Sequence, residues 1–315
     1  MNVKDLKKIE LHCHLDGSVR ETTADSLLGR KSNMTVSPDC KDLNEYLEKF
    51  SDPVECMQTK ENLKRIAKEL TEDLEKDNVI YAEIRFAPMQ HTVTLKPEEV
   101  VESVMDGLRE GNIQTTLILC MMRGADYRTN HKVIELANKY NLPIDLAGAE
   151  ALYPTKDYEQ LFMEAKKLHL NYTIHAGESD GPKSIREALH FGTKRIGHGV
   201  SIVKDPKLME YAKENHITFE VCPTSNIQTC VCDSVENHPL REMIDNGLII
   251  TINTDNRTVS GITLSDEYEK LEKALNLEGK DFYILNQNAI EASFLPRKEK
   301  DELEKELDYY YREYI

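Results

Sequence analysis

Eight short runs rich in Val, Ile, Leu and Thr recur along the chain, and the stretches between them carry apolar residues at helical spacing among charges. Such a run suits a buried strand, and its alternation with helical sequence marks repeated βα units around a parallel sheet. The runs lie at 9–14, 79–86, 115–122, 143–148, 171–177, 195–199, 217–223 and 248–255. Eight units predict an α/β fold, a (β/α)8 barrel of TIM type. An open doubly wound sheet is the alternative, but no run is followed by the glycine-rich phosphate turn that such sheets usually carry. Two additions to a minimal barrel stand out: a helical insertion after the first strand, within 21–77, and extra C-terminal helices after the eighth strand. The insertion would lie over the end of the barrel that carries the site, in the position of a lid. With no linker or short-period repeat, residues 1–315 are expected to form one domain.

Charge narrows the partners. The chain has 56 acidic and 40 basic residues, a formal charge of -16, so its field repels phosphate backbones and anionic lipid heads. Nucleic acid and membrane are therefore not expected as partners, and no protein partner is evident. The N-terminus lacks an apolar signal core and no apolar run could span a bilayer, which points to the cytoplasm. Seven cysteines, an odd number, fit reduced thiols there. Cys222, Cys230, Cys232 and His238 do not have the spacing of a zinc finger or ribbon, and Cys222 reads instead as a small hydrophobe ending a buried strand.

Barrel active sites assemble at the C-terminal ends of the strands. In KIELHCHLDGS an extended strand would turn His12, His14 and Asp16 to one face. His-x-His also occurs on ordinary half-buried strands, so further ligands have to decide. The fourth strand ends in Gly148, the fifth in His175 followed by Glu178, the sixth in His198, and the eighth in Asp255 with Asn256 behind it. The remaining histidines, His91, His131, His169, His190, His216 and His238, fall in loops or helices and read as surface or capping residues. Three imidazoles and one carboxylate make a nitrogen-rich set suited to zinc or a neighbouring transition metal, and unsuited to calcium. Glu178 is then a natural proton shuttle, and His198 a group that steers or deprotonates a water.

The motifs HCHLDGS, DLAG, HAGE, GHG, CPTSN and NTDN, in this order, resemble those of the adenosine deaminase family of metal-dependent hydrolases, in its bacterial form, over nearly the whole chain. The resemblance implies a zinc-dependent barrel enzyme, with one Zn2+ per chain, that hydrolyses adenosine to inosine and ammonia in purine salvage. It makes His12, His14, His175 and Asp255 metal ligands and Glu178 the acid that protonates purine N1. It also implies that His198 holds the attacking water, that the Gly148 backbone meets purine N3, and that His14 and Asp16 lie near the ribose. The chain departs from the commoner pattern at Asn256, where an aspartate is usual, and at Ala149, where an acid is common. Asn256 is expected to donate to purine N7, since an amide carries donors at any working pH. Adenine, 5'-modified adenosines and AMP are rival substrates. AMP is disfavoured because Asp16 would repel its phosphate. A barrel kept only to bind purines is the reading from another class, but binding alone does not need a proton shuttle.

Overall fold

All eight expected strands form, each within a few residues of its sequence bounds, in a computed structural model that describes residues 2–315. They are β1 (Lys8–His14), β2 (Val79–Phe86), β3 (Gln114–Met122), β4 (Ile144–Ala147), β5 (Ile174–Ala176), β6 (Arg195–His198), β7 (Thr218–Val221) and β8 (Ile249–Ile252). Each pairs in parallel with the next within two curved halves, β1-β2-β3-β4 and β5-β6-β7-β8. Parallel bridges join the halves at Ile144 with Tyr172 and at Cys13 with Asp255. At the second seam His14 N–H donates to the Asp255 carbonyl (2.7 Å) and Asp255 N–H to the His12 carbonyl (2.8 Å). Barrel closure therefore sets Asp255 beside both histidines of β1.

The helix Lys60–Lys76 buries Leu63, Ile66, Ala67, Leu70 and Leu74, an apolar stripe at spacings of three and four. It packs on β2 and on the helix Pro97–Arg109. At that crossing a Cβ on Gly107 would come within 2.2 Å of the Lys64 carbonyl oxygen, so only glycine permits the approach. Lys60–Lys76 is thus the ordinary crossover helix of the first βα unit, and only the part before it is inserted. That part carries the short helices Glu21–Leu28, Leu43–Leu47 and Ser51–Cys56. Around Tyr46 it forms a small cluster of its own with Val36, Cys40 and Val259, apart from the main core.

Three helices follow β8, as expected. Gly279–Ala292 packs against β8 and β1, and Arg297–Tyr311 lies on it through Leu303, Leu307 and Tyr311. The main core runs from Val3 to Tyr311. Among the described residues no helix is long and apolar enough to cross a membrane.

Candidate active site

The strand ends converge. His12 Nε2 lies 3.6 Å and His14 Nε2 3.4 Å from Asp255 Oδ1, and His14 Nε2 is 3.3 Å from His175 Nε2. Ligand atoms bonded to one zinc-sized ion at 2.0–2.1 Å in a tetrahedron stand about 3.3–3.4 Å apart, so these spacings fit a single transition metal. His12 Nε2 is buried and has no hydrogen-bond partner, a lone pair taken from water for no other visible reason. His198 joins His12, His175 and Asp255 in a buried group whose ligand atoms all lie within 4.8 Å of one another. Its Nε2 is farther out, 4.0 Å from Asp255 Oδ2 and 3.8 Å from Glu178 Oε2. Both His198 (φ 59°) and Asp255 (φ 61°) occupy left-handed backbone, uncommon for residues with a side chain and frequent where function fixes a direction. β1 stops at His14, so Asp16 reaches the site through a turn and not by strand alternation.

Behind the imidazoles is a lattice of buried charge. His12 Nδ1 donates to Glu220 Oε2 (2.8 Å), and His175 Nδ1 lies 2.9 Å from Asp145 Oδ2. A carboxylate can only accept, so the His12 ring carries its proton on Nδ1 and turns a bare Nε2 to the centre. Arg85 bridges the two carboxylates, 2.8 Å from each, and Arg195 holds Glu220 and Glu83 at 2.7 Å. Burial alone would raise the pKa values of these carboxyls. Arg195 and Arg85 nevertheless hold Glu220, and His175 and Arg85 hold Asp145, well below the usual carboxylate range. Ser225 Oγ donates to Asp255 Oδ2 (2.6 Å), which leaves Oδ1 for the histidines.

Glu178 has the opposite character. Burial, aided by the Asp255 charge, pushes its pKa up to about 8, which favours its acid form. Thr229 Oγ1 donates to its Oε1 (3.2 Å). Glu150, buried in the loop after β4, accepts from the backbone N–H groups of Gly177 (2.6 Å), Ser179 (2.6 Å) and Asp180 (3.2 Å), which pins the turn carrying Glu178.

His14, His175, Glu178, His198 and Asp255 line a cavity of about 250 Å³ together with Asp16, Gly148 and Asn256. A larger cleft of about 720 Å³ at the other end of the barrel contains none of them. Gly148 stands at φ 105°, a conformation open to glycine that bares its backbone to the cavity. Asp16 is buried with Oδ1 unpartnered, and burial lifts its pKa to about 6. Asn256 turns Oδ1 against Gly17, where a Cβ would lie 1.8 Å from it, so its amide Nδ2 is directed away from that wall. Leu43, Tyr46, Leu47 and Phe50 of the insertion form the roof, as expected of a lid-like segment. Arg123 is the one cationic side chain among the described lining residues, and its Nη atoms are committed to Tyr153 O, Thr155 Oγ1 and His175 O.

Every sequence-derived site residue but His12 lines this cavity, and His12 meets Asp255 Oδ1 at 3.6 Å. The supporting carboxylates and arginines were not foreseen, nor was Glu150. Two of the histidines expected at the surface or at caps differ from that expectation. His91 is fully buried and stacks on Phe86, 4.0 Å from Asp16 Oδ2. His238 does cap, through its Nδ1, but is buried and bonded to Asn226 beside His198. Cys222 is buried directly after β7, as expected.

A model of the adenosine deaminase family matches residues 7–310. The adenosine deaminase of Clostridium acetobutylicum is 39% identical over 334 residues, covering 98% of this chain and 100% of that protein. That of Clostridium botulinum strain Kyoto is 42% identical over 327 residues, covering 96% and 97%. Among solved structures, Arabidopsis ADAL complexed with IMP superposes with a TM-score of 0.90 at 26% identity, covering 99% of both chains.

Proposed function

The chain belongs to the adenosine deaminase family, and from that premise we propose that it hydrolyses adenosine and 2'-deoxyadenosine to the inosine nucleosides and ammonia, using one zinc ion per chain, in purine salvage. The observation that carries this reading is the pairing of a buried Glu178, whose pKa is raised, with a nitrogen-rich ligand set around one cavity. His12, His14, His175 and Asp255 would hold the ion, their spacing and the Nδ1-anchored ring of His12 being its support. When bound, zinc supplies Lewis-acid activation of the attacking water.

The chain's own groups supply the rest. C6 of adenine is a poor electrophile, and a proton given by Glu178 to N1 makes the ring accept water there. Addition of water at C6 and loss of the amino group as ammonia then give inosine. His198 holds the water, and Asp255, fixed through Oδ2 by Ser225, is positioned to take part in orienting it. The Gly148 backbone meets N3, Asn256 Nδ2 donates to N7, and Asp16 accepts from the ribose. A nucleoside suits the cavity better than a nucleotide, because its one arginine is already engaged and Asp16 is acidic. The proposal takes residues 1–315 as one unit, supported by the continuous core. It places the reaction in the cytoplasm, where seven free cysteines stay reduced.

Metal analysis with an ultraviolet assay across adenosine, 2'-deoxyadenosine, adenine, methylthioadenosine and AMP tests it. About one zinc per chain, activity lost on chelation and preference for the first two substrates are expected. Preference for AMP or adenine, two metals per chain, or full turnover without metal would overturn it.

A further inference from the structure

Beside the site runs a chain of hydrogen bonds that begins on the main chain. Leu240 N–H donates to His238 Nδ1 (3.0 Å). His238 Nε2 lies 3.2 Å from Asn226 Oδ1, and Asn226 Nδ2 lies 3.2 Å from His198 Nδ1. A backbone N–H can only donate, so His238 Nδ1 is an acceptor and the proton of the neutral ring sits on Nε2. That proton requires an acceptor, which fixes the Asn226 amide with Oδ1 toward His238. Nδ2 then donates to His198 Nδ1, and His198 carries its proton on Nε2, facing Asp255 and Glu178. Reversing the amide would set two donors or two acceptors against each other at one of the three contacts. All three side chains are at most 3% exposed, so solvent does not substitute for a missing partner.

We propose that His238 and Asn226 are positioning residues that lock His198 in its Nε2–H form, making it a donor into the site and not a metal ligand. The consequence separates two groups that look alike by position. His12 gives Nδ1–H to a carboxylate and presents a bare Nε2, whereas His198 accepts a hydrogen bond at Nδ1 and presents Nε2–H. A histidine in that form holds a water by donating to its oxygen and does not take a proton at Nε2. This role for His198 rests on the deaminase reading; the relay itself does not.

Two substitutions at one position distinguish the relay from simple helix capping. Asparagine places its oxygen near the site of Nδ1, so His238→Asn keeps the bond from Leu240 and loses the one to Asn226. Glutamine reaches the site of Nε2, so His238→Gln keeps the donor to Asn226 and loses the cap. The relay predicts kcat about 10- to 100-fold lower in His238→Asn with KM within about twofold, and kcat within about threefold of the parent in His238→Gln. Histidine 15N spectra, with His198 assigned by its loss in His198→Asn, should show Nε2–H in the parent and His238→Gln, and a mixture in His238→Asn. Asn226→Asp, which can only accept, should move the His198 proton to Nδ1, and serves if His238→Asn does not fold. The reverse order of the two His238 variants, or Nδ1–H in the parent, overturns the relay. A parent that shows Nε2–H but deaminates no purine would leave the relay standing and remove the proposed function.

Discussion

The floor and the roof of the cavity are built by different physics. The floor is ionic and belongs to the main barrel: His12 and His175 lean on Glu220 and Asp145, and Arg85 ties those carboxylates together, all in positions closed to water. The roof is apolar and local, formed by Leu43, Tyr46, Leu47 and Phe50, of which Leu43, Tyr46 and Phe50 join a satellite cluster with Val36, Cys40 and Val259. A lattice whose members each hold two or more partners fixes direction to a fraction of an ångström, while a few side chains in a satellite cluster exclude water without fixing any one atom. The contrast teaches where to look for each kinetic quantity. Floor groups should govern turnover, and roof groups should govern affinity.

The largest effect is expected where the reacting proton is held. Glu178→Gln should leave metal content and much of the substrate affinity intact while lowering kcat by about a thousandfold. The same group sets a pH limb. Its acid form is needed and is lost as pH rises through its pKa, so kcat/KM should fall on the alkaline side, with a midpoint near 8 or lower because a bound cation favours the carboxylate. A parent profile flat through pH 9, or a glutamine variant with near-normal turnover, would remove Glu178 from the chemistry and with it the claim that turnover belongs to the floor.

How much of this was readable beforehand follows the same division of range. The strands were legible because each is a short run of β-branched and apolar residues, and the reacting residues because they end those runs within recurring motifs. The lattice was not. Glu220 meets His12 across 208 positions and Arg85 across 135, and a charged residue inside TFEV or EIRF announces no partner in its neighbourhood. Burial of β1 along its whole length, Lys8 and Glu10 included, likewise depends on helices that come last in the chain, such as Gly279–Ala292. His238 was read as a surface or capping residue because its cap is local and its bond to Asn226 is visible only in three dimensions. The insertion was legible as helical, but the division between its crossover helix and its roof needed the packing of Lys60–Lys76 on Pro97–Arg109.

A middle effect should come from loosening the floor without touching the substrate. Glu220→Gln keeps the shape but deprives Arg85 and Arg195 of an anion and offers His12 Nδ1 an amide that can be turned the wrong way. Metal affinity should drop about 10- to 100-fold, and stability by roughly 3–5 kcal/mol, because two buried guanidinium groups each lose one of their two carboxylate partners. Zinc competition with a chelator reads the first, and denaturant titration of the metal-free protein reads the second. If stability falls while zinc affinity does not, the lattice supports the barrel alone and the floor is less closely tied to the metal than its geometry implies.

The smallest effect belongs to the roof. Phe50 ends the short 3-10 turn Glu48–Phe50, packs against Tyr46 with ring centroids 6.4 Å apart, and lines the cavity. Its contact with a bound nucleoside removes apolar surface from water equally in the ground state and the transition state, so its loss should weaken binding and leave the chemical step alone. Phe50→Ala should therefore raise KM about 5- to 30-fold, the equivalent of 1–2 kcal/mol of burial, with kcat within about twofold. Steady-state kinetics on adenosine measure both. A fall in kcat as large as the rise in KM would mean that roof contact helps assemble the catalytic geometry, and the insertion would then work as a lid whose closure belongs to the chemistry and not merely as a cover.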